Sequence, residues 1–212
     1  MLSAKKIETV FERLAEVNPE PKGELDHVNP YTLLVAVVLS AQATDKGVNK
    51  ATAPLFRKVT TPQQMLDLGE AGLIEYIKTI GLFRAKAKNV ISLSRALIER
   101  FGGEVPKTRE ELESLAGVGR KTANVVLNMA FGIPTIAVDT HVFRVSQRLG
   151  MAKGKTPNDI EAQLEKVIPK KYRQHAHHWL ILHGRYTCIA RRPKCPECPV
   201  KSLCPWPDKT KP

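Results

Sequence analysis

The chain has 212 residues, of which 42% are hydrophobic and 25% charged, and this composition is typical of one large or two small globular domains. Its 33 Lys and Arg against 21 Asp and Glu give a formal net charge of +12. This excess indicates a polyanionic partner and favours nucleic acid over a membrane surface; the alternative is a merely basic globular protein. We expect no targeting segment, and the longest apolar run falls short of the about 20 residues that spanning a membrane takes.

The first predicted element is an amphipathic helix over residues 1–14. The stripe of apolar residues on it is formed by Ile7, Val10, Phe11 and Leu14. Pro30 then leads into the most apolar run of the chain, LLVAVVLSAQA over residues 33–43. Because this run is too short to cross a bilayer, we expect it to be a buried core helix.

Three threonines mark the starts of later helices. Thr61 and Thr156 each place a capping residue before a proline at the first helical position, and Thr108 opens TREE, the pattern of a capping box with Glu111. Glycines are typical of helix ends, here at residues 102–103 and 132. We count roughly nine or ten helices and no alternating strand pattern, so the predicted fold class is all-α.

The segment LAGVGRKTANV, residues 115–125, has an unusual helix start. Gly117 and Gly119 flank a valine, and Arg120, Lys121 and Thr122 then open an apolar helix. Unpaired backbone N–H groups give a helix start partial positive charge, so cations are disfavoured there. From the residues alone, the favoured role for Lys121 is a cation that contacts phosphate.

All four cysteines, Cys188, Cys195, Cys198 and Cys204, lie in the last 25 residues with the spacing C-x6-C-x2-C-x5-C. Four thiols so close together indicate a structural metal site rather than a disulfide framework. The spacing favours an iron–sulfur cluster only modestly over zinc. The six-residue loop carries Arg191, Arg192 and Lys194, which could grip a phosphate backbone, offset the thiolate charge, or do both.

Four histidines, His175, His177, His178 and His183, fall on one predicted helix. We expect a solvated or hydrogen-bonded helix face here rather than a second metal site.

Five segments together resemble the endonuclease III family, the iron–sulfur DNA glycosylase/lyases of the helix–hairpin–helix superfamily. Four of them are LLVAVVLSAQATDKGVN (33–49), IGLFRAKA (80–87), LAGVGRKTANVVLN (115–128) and AVDTHVFRVSQRLG (137–150), and the fifth is the cysteine tail. Each segment is weak alone, but their order and the cysteine spacing are specific. The similarity runs nearly end to end.

The resemblance implies a two-domain helix–hairpin–helix glycosylase fold. Residues 22–132 would form a helical barrel module, and residues 1–21 with 133–212 an iron–sulfur cluster domain. The four cysteines would bind a 4Fe–4S cluster, and double-stranded DNA would lie across the cleft between the domains.

The implied activity is a bifunctional DNA glycosylase and apurinic/apyrimidinic lyase that acts on oxidised pyrimidines. Lys121 would attack C1′ of the damaged nucleotide, because lysine is the side chain that forms Schiff bases. The imine would then allow β-elimination 3′ of the abasic site. Asp139, at the predicted N-cap of the next helix, would stabilise the oxocarbenium-like charge, although a cap alone is the commonest role for such a residue.

The resemblance also implies the residues that contact DNA. Gln42 and Leu82 would fill the hole left by an extruded nucleotide; the alternatives are a polar helix end and a core leucine. The glycines of the hairpin would seat a phosphate on their N–H groups. The expected DNA contacts are Gln42, Leu82, Gly117, Gly119, Arg120, Thr122, His141, Arg191, Arg192 and Lys194.

Two other functions stay open at this point: a monofunctional mismatch glycosylase, against which Lys121 argues, and a non-catalytic DNA-binding or redox-sensing iron–sulfur protein. We expect a monomer in the cytoplasm, associated with the nucleoid if the source is bacterial, that acts on DNA with a damaged base or abasic site and has no membrane partner.

Overall fold

The fold is described by a computed structural model covering residues 1–211. These residues form α-helices and two short 3₁₀ turns and contain no β-strand, so the all-α prediction is confirmed. The helices are α1 (Ala4–Val17), α2 (Pro30–Ser40), α3 (Asp45–Phe56), α4 (Pro62–Ile77), α5 (Phe83–Phe101), α6 (Arg109–Glu113), α7 (Arg120–Phe131), α8 (Thr140–Arg148), α9 (Pro157–Val167) and α10 (Arg173–Tyr186).

The chain folds into two compact units. The middle unit, Glu24–Gly132, contains α2 to α7. The terminal unit combines Met1–Gly23 with the chain from Ile133 onward and contains α1 and α8 to α10. One unit is therefore continuous in sequence, and the other is assembled from both ends of the chain.

Helix α2 lies at the centre of the middle unit. Every residue from Tyr31 to Leu39 is buried, as expected for a helix that is apolar on all sides. It packs against α3, α5 and α7, while α4 packs along α5. The run at residues 33–43 is thus a core helix as predicted, and its C-terminal residues Ala41 and Gln42 emerge at the surface.

The terminal unit is built around α10. The predicted apolar stripe of α1 is its buried face, and Phe11 stacks on Tyr172 and lies 6.1 Å from the ring centre of Trp179. The indole N–H of Trp179 donates to the carbonyl of Asn18 at 2.8 Å. Helix α1 is therefore part of this core and is held to elements more than 150 residues later in the chain.

Helix starts largely follow the sequence signals. Thr61 and Thr156 cap α4 and α9, each followed by proline. At α6, Thr108 accepts from the Glu111 N–H, but the Glu111 carboxylate accepts from the Thr108 hydroxyl rather than from its backbone N–H. The predicted capping box is thus only half formed, because the short carboxylate–hydroxyl contact takes the place of the reciprocal backbone bond.

The expectation for the histidines on α10 was partly wrong. His177, His178 and His183 are buried rather than solvated, and neither ring nitrogen of His178 has a hydrogen-bond partner. Burial, together with the charge of His175, lowers the pKa of His178 to about 4. The sequence of α10 does not indicate that these histidines are buried. They stand among apolar residues and pack with them in the core, although histidine is usually counted as polar.

None of the helices within residues 1–211 is both long enough and apolar enough to cross a membrane.

Candidate functional site

A tight hairpin joins α6 to α7 at residues 115–119. Gly117 has φ of 76°, and a Cβ there would approach the side-chain amide of Asn89 to 2.9 Å. Both the left-handed backbone and the contact with α5 therefore require glycine. Gly119 has an ordinary φ of −99°, and a Cβ there would point into open space. Internal packing therefore does not require a glycine at this second position.

The start of α7 lacks the capping bond common in this protein. Among the ten α-helices of residues 1–211, seven begin with a Ser, Thr, Asn or Asp side chain that accepts a first-turn N–H. At α7 the N-cap is Gly119, which has no side chain for that bond. No cap side chain therefore occupies the first turn of α7, and backbone N–H groups at a helix start commonly bind anions. Arg120 and Lys121 are exposed beside them, and Thr122 is half-buried.

Gln42 and Leu82 share a strained backbone. Within residues 1–211 only three residues other than glycine have positive φ: Gln42 at 54°, Leu82 at 59° and Arg192 at 51°. Left-handed conformations are costly for side chains such as leucine and cluster at functional sites. Leu82 is also 60% exposed, so it is not a core leucine.

The loops that carry these two residues meet. A Cβ at Gly81 would lie 3.9 Å from the Gln42 carbonyl, so the end of α2 and the start of α5 lie side by side. About two turns further along α5, Asn89 contacts the hairpin at Gly117. The structure therefore brings Gln42, Leu82 and the hairpin to one region of the middle unit.

Asp139 is the N-cap of α8, as predicted. Its Oδ1 accepts from the backbone N–H groups of His141 and Val142, both at 2.8 Å. No described residue donates to Oδ2. One oxygen therefore secures the helix start and leaves the other to accept a proton or to face positive charge.

The rest of α8 reaches the cysteine segment. Arg144 donates to the carbonyls of Gly184, at 2.7 Å, and Cys188, at 3.1 Å. Its guanidinium also lies 3.3 Å from the His141 ring. His141 is thus placed between the Asp139 cap and Arg144, on the half-buried face of α8 that packs on Gly184.

All four cysteines are unpaired and line one cavity in the terminal unit, with about 340 Å³ not filled by atoms, part of it open to solvent. Within residues 1–211 no three His, Cys, Asp or Glu side chains are grouped closely enough to hold a single metal ion. Four sulfur donors that line one cavity but are not grouped closely enough for a single ion fit a multi-iron cluster better than tetrahedral zinc. Burial raises the pKa of the Cys198 and Cys204 thiols, so bound cationic iron would offset the cost of keeping thiolates there.

Basic side chains surround this cavity. Arg148, Lys194, Lys201 and Lys209 line it, which fits four negatively charged ligands. Arg191 and Arg192 are exposed and do not line it. The structure thus separates the loop cations: Lys194 lies beside the thiols, whereas the two arginines face outward.

Sequence reasoning missed the residues around the thiols. Arg148 lies 3.6 Å from the Cys188 Sγ, and the His183 Nε2 lies 3.7 Å from the Cys198 Sγ. The spacing of Arg144 and Arg148, four residues apart on one helix face, was a signal that could have indicated a shared partner.

Two family models match the chain. Residues 35–170 match the model of the HhH-GPD superfamily base excision DNA repair proteins. Residues 188–204 match the iron–sulfur binding domain of endonuclease III. The fold and the thiol cavity thus define a helical base excision repair protein with an iron–sulfur domain.

The relatives are similar over their whole length. The endonuclease III of Treponema pallidum is 59% identical, over 96% of this chain and 97% of the relative. Two solved structures, a trapped endonuclease III–DNA covalent intermediate and a non-covalent endonuclease III–DNA complex, superpose with TM-scores of 0.90 and 0.91 at 48% identity. Each superposition covers 97% of this chain. It covers 97% of the chain in the covalent intermediate and 96% of the chain in the non-covalent complex.

The chain therefore belongs to the endonuclease III family. It is a DNA glycosylase and apurinic/apyrimidinic lyase of base excision repair, with DNA as its partner and an iron–sulfur cluster as its cofactor. These parts of the sequence prediction are confirmed.

Proposed function

We propose that the chain removes oxidised pyrimidines from duplex DNA through an imine at Lys121 and then cleaves the strand 3′ of the abasic site. The observation that carries the proposal is the position of Lys121. This lysine is exposed in the first turn of α7, directly after a glycine hairpin and beside N–H groups that no side chain caps. An anion-binding helix start next to an amine is suited to a phosphate-flanked sugar.

The Lys121 amine attacks C1′, and the C1′–N bond to the base breaks as the base leaves with the bonding electrons. Loss of the amine proton and opening of the sugar ring give the imine. The imine acidifies C2′; loss of a C2′ proton then breaks the C3′–O bond and releases the 3′ phosphate.

Asp139 stabilises positive charge on the sugar as the base departs and accepts or returns the protons that these steps move. The carboxylate suits this role because its Oδ1 is held by two backbone N–H groups. Because Oδ1 is fixed, Oδ2 is already oriented and need not reorganise during the reaction.

Gln42 and Leu82 occupy the hole in the base stack, supported by their exposed, strained positions on adjoining loops. Gly117, Gly119, Arg120 and Thr122 contact a phosphate at the hairpin. His141, Arg191, Arg192 and Lys194 add contacts from the terminal unit, and Lys194 also offsets thiolate charge.

Cys188, Cys195, Cys198 and Cys204 hold a 4Fe–4S cluster whose role is structural. It braces the proline-rich segment that could not bury a core of its own. We further propose that the helical barrel module (22–132) and the cluster domain (1–21 with 133–212) form the two functional domains. The protein acts as a cytoplasmic monomer, associated with the nucleoid in a bacterial source.

Borohydride trapping tests the nucleophile. DNA with an oxidised pyrimidine or an abasic site should form a covalent adduct with the wild type and none with Lys121→Gln, which should still bind that DNA because several other cations remain. Lys58→Gln, at another exposed lysine of the middle unit, is the matched control and should trap normally. Robust trapping by Lys121→Gln would assign the imine to another amine.

A further inference from the structure

The six-residue loop between Cys188 and Cys195 is held in an unfavourable conformation. Arg192 has φ of 51°, which is strained for a residue with a side chain. Its neighbours Ala190 and Arg191 are exposed, so little packing holds this part of the loop. The backbone bond from the Lys194 N–H to the Thr187 carbonyl, 2.9 Å, closes its base. A further support of the strained part comes from outside the loop.

Arg148, the last residue of α8, supplies that support. Its Nη1 donates to the Ile189 carbonyl at 2.8 Å and its Nη2 to the Ala190 carbonyl at 3.0 Å. The two bonded carbonyls directly precede Arg191 and Arg192. A planar guanidinium can bind two adjacent acceptors at a fixed angle, which a lysine ammonium cannot do.

Two further contacts fix the guanidinium itself. Its central carbon lies 4.1 Å from the centre of the Trp206 ring, and Nη1 lies 3.6 Å from the Cys188 Sγ. The Arg148 side chain is half-buried between these groups. The same side chain thus joins a thiol of the cavity, the aromatic ring after the last cysteine, and the backbone of the loop.

We propose that Arg148 is a positioning residue that sets the direction of Arg191 and Arg192 toward the DNA backbone. Arg148 itself need not touch DNA. The inference rests on the proposed role of the loop arginines as phosphate contacts, and it adds the residue that orients them. Because the same guanidinium contacts the Cys188 sulfur, the thiol cavity and the orientation of the loop are linked through one side chain.

Arg148→Lys tests this role, since it keeps the charge but loses the paired bonds. In the cluster-loaded protein without DNA, hydrogen exchange at the Lys194 amide should become about tenfold faster or more. With abasic-site DNA, the slope of log binding constant against log salt should fall by about two units, the loss expected for two phosphate contacts. The visible absorbance of the cluster is measured in parallel, and only samples with equal cluster content are compared.

Three controls make the outcomes distinguishable. Lys153→Met, an exposed cation of the same unit, should change neither readout. Arg191→Ala with Arg192→Ala should lower the salt slope as Arg148→Lys does; no change there would disprove the phosphate contacts proposed above, whereas the exchange measurement tests Arg148 without DNA. Should Arg148→Lys fail to fold, Trp206→Leu removes the stacked ring but no hydrogen bond and should give smaller changes in the same direction.

Wild-type exchange and slope in the folded variant would overturn the proposal. A lower slope with unchanged exchange would also overturn it, because Arg148 would then contact phosphate directly.

Discussion

The two oxygens of the Asp139 side chain face different partners. Oδ1 holds the first turn of α8 through the N–H groups of His141 and Val142, and Oδ2 accepts no bond from a described residue. The capping role and the catalytic role of Asp139 can therefore be separated by substitution. Asparagine retains a capping oxygen but not the negative charge, and alanine retains neither.

Asp139→Asn and Asp139→Ala should both slow base excision by about 10²–10⁴-fold, since each removes a positioned acid–base group. Only Asp139→Ala should also lower the free energy of unfolding, by about 1 kcal/mol. Single-turnover excision and urea unfolding of the same samples measure the two effects. Normal excision by Asp139→Asn would leave Asp139 as a cap alone.

Leu82 combines exposure with a left-handed backbone, and both features are unfavourable for the folded state. It is also the N-cap of α5 and makes no capping bond. Asparagine tolerates positive φ and is among the preferred N-cap residues. A leucine at position 82 is therefore unfavourable for stability, as is common where a residue serves function.

Leu82→Asn should raise the free energy of unfolding by roughly 1 kcal/mol and slow excision of a paired lesion by at least about tenfold, because no apolar group fills the stack. Leu82→Met, which keeps an apolar side chain on the same backbone, should leave both quantities near wild type. A variant that is more stable and equally active would mean that Leu82 does not enter the DNA.

At the scale of the helices, the signals that could be predicted from sequence were local. Thr61, Thr156 and Asp139 cap the helices they were expected to cap, because a cap depends on residues within one turn. The left-handed backbone at Gln42 and Leu82 had no local signal, since neither residue favours it. The bonds of Arg148 to residues about 40 positions later depend on tertiary packing, which no short pattern encodes.

Helix α1 illustrates such a long-range dependence. Besides its buried stripe, Arg13 donates to the Pro199 carbonyl at 3.2 Å and to the Ser202 hydroxyl at 2.8 Å. Both acceptors lie between Cys198 and Cys204. The first helix therefore braces the segment that carries the last two thiols.

Phe11→Ala should cost about 3–5 kcal/mol of stability in the terminal unit and should speed the release of iron to a chelator. Leu55→Ala creates a comparable cavity in the middle unit, since Leu55 is also fully buried, and should release iron much less readily. Iron release is followed by loss of visible absorbance. Equal release rates for the two variants would show that α1 has no special role in retaining the cluster.

At the scale of the whole molecule, we expect the two units to differ in sensitivity to acid. Burial lowers the pKa of His178, in the terminal unit, to about 4 from an ordinary value of 6.5. Between these values the unfolded state binds more protons than the folded state, so stability is lost as the pH falls. The middle unit contains only His27, which is exposed.

As the pH falls from about 6.5 to about 4, the terminal unit should therefore lose up to roughly 3 kcal/mol of stability through His178, and the middle unit should change less. Hydrogen-exchange protection factors of peptides from each unit, compared at pH about 7 and about 5, measure this difference. His178→Gln should reduce the effect in the terminal unit. If the middle unit loses protection first as the pH falls, the greater acid sensitivity does not belong to the terminal unit.

The division of the chain between its units also fixes an order of events during synthesis. Residues 24–132 leave the ribosome as one continuous stretch that contains every helix of the middle unit, so this unit has all its packing partners early. Helix α1 emerges before it, yet its partners Tyr172 and Trp179 and all four thiols come last. The apolar face of α1 therefore stays exposed through most of translation. The cluster can be inserted only after the last cysteine is made, when the middle unit has already had time to fold.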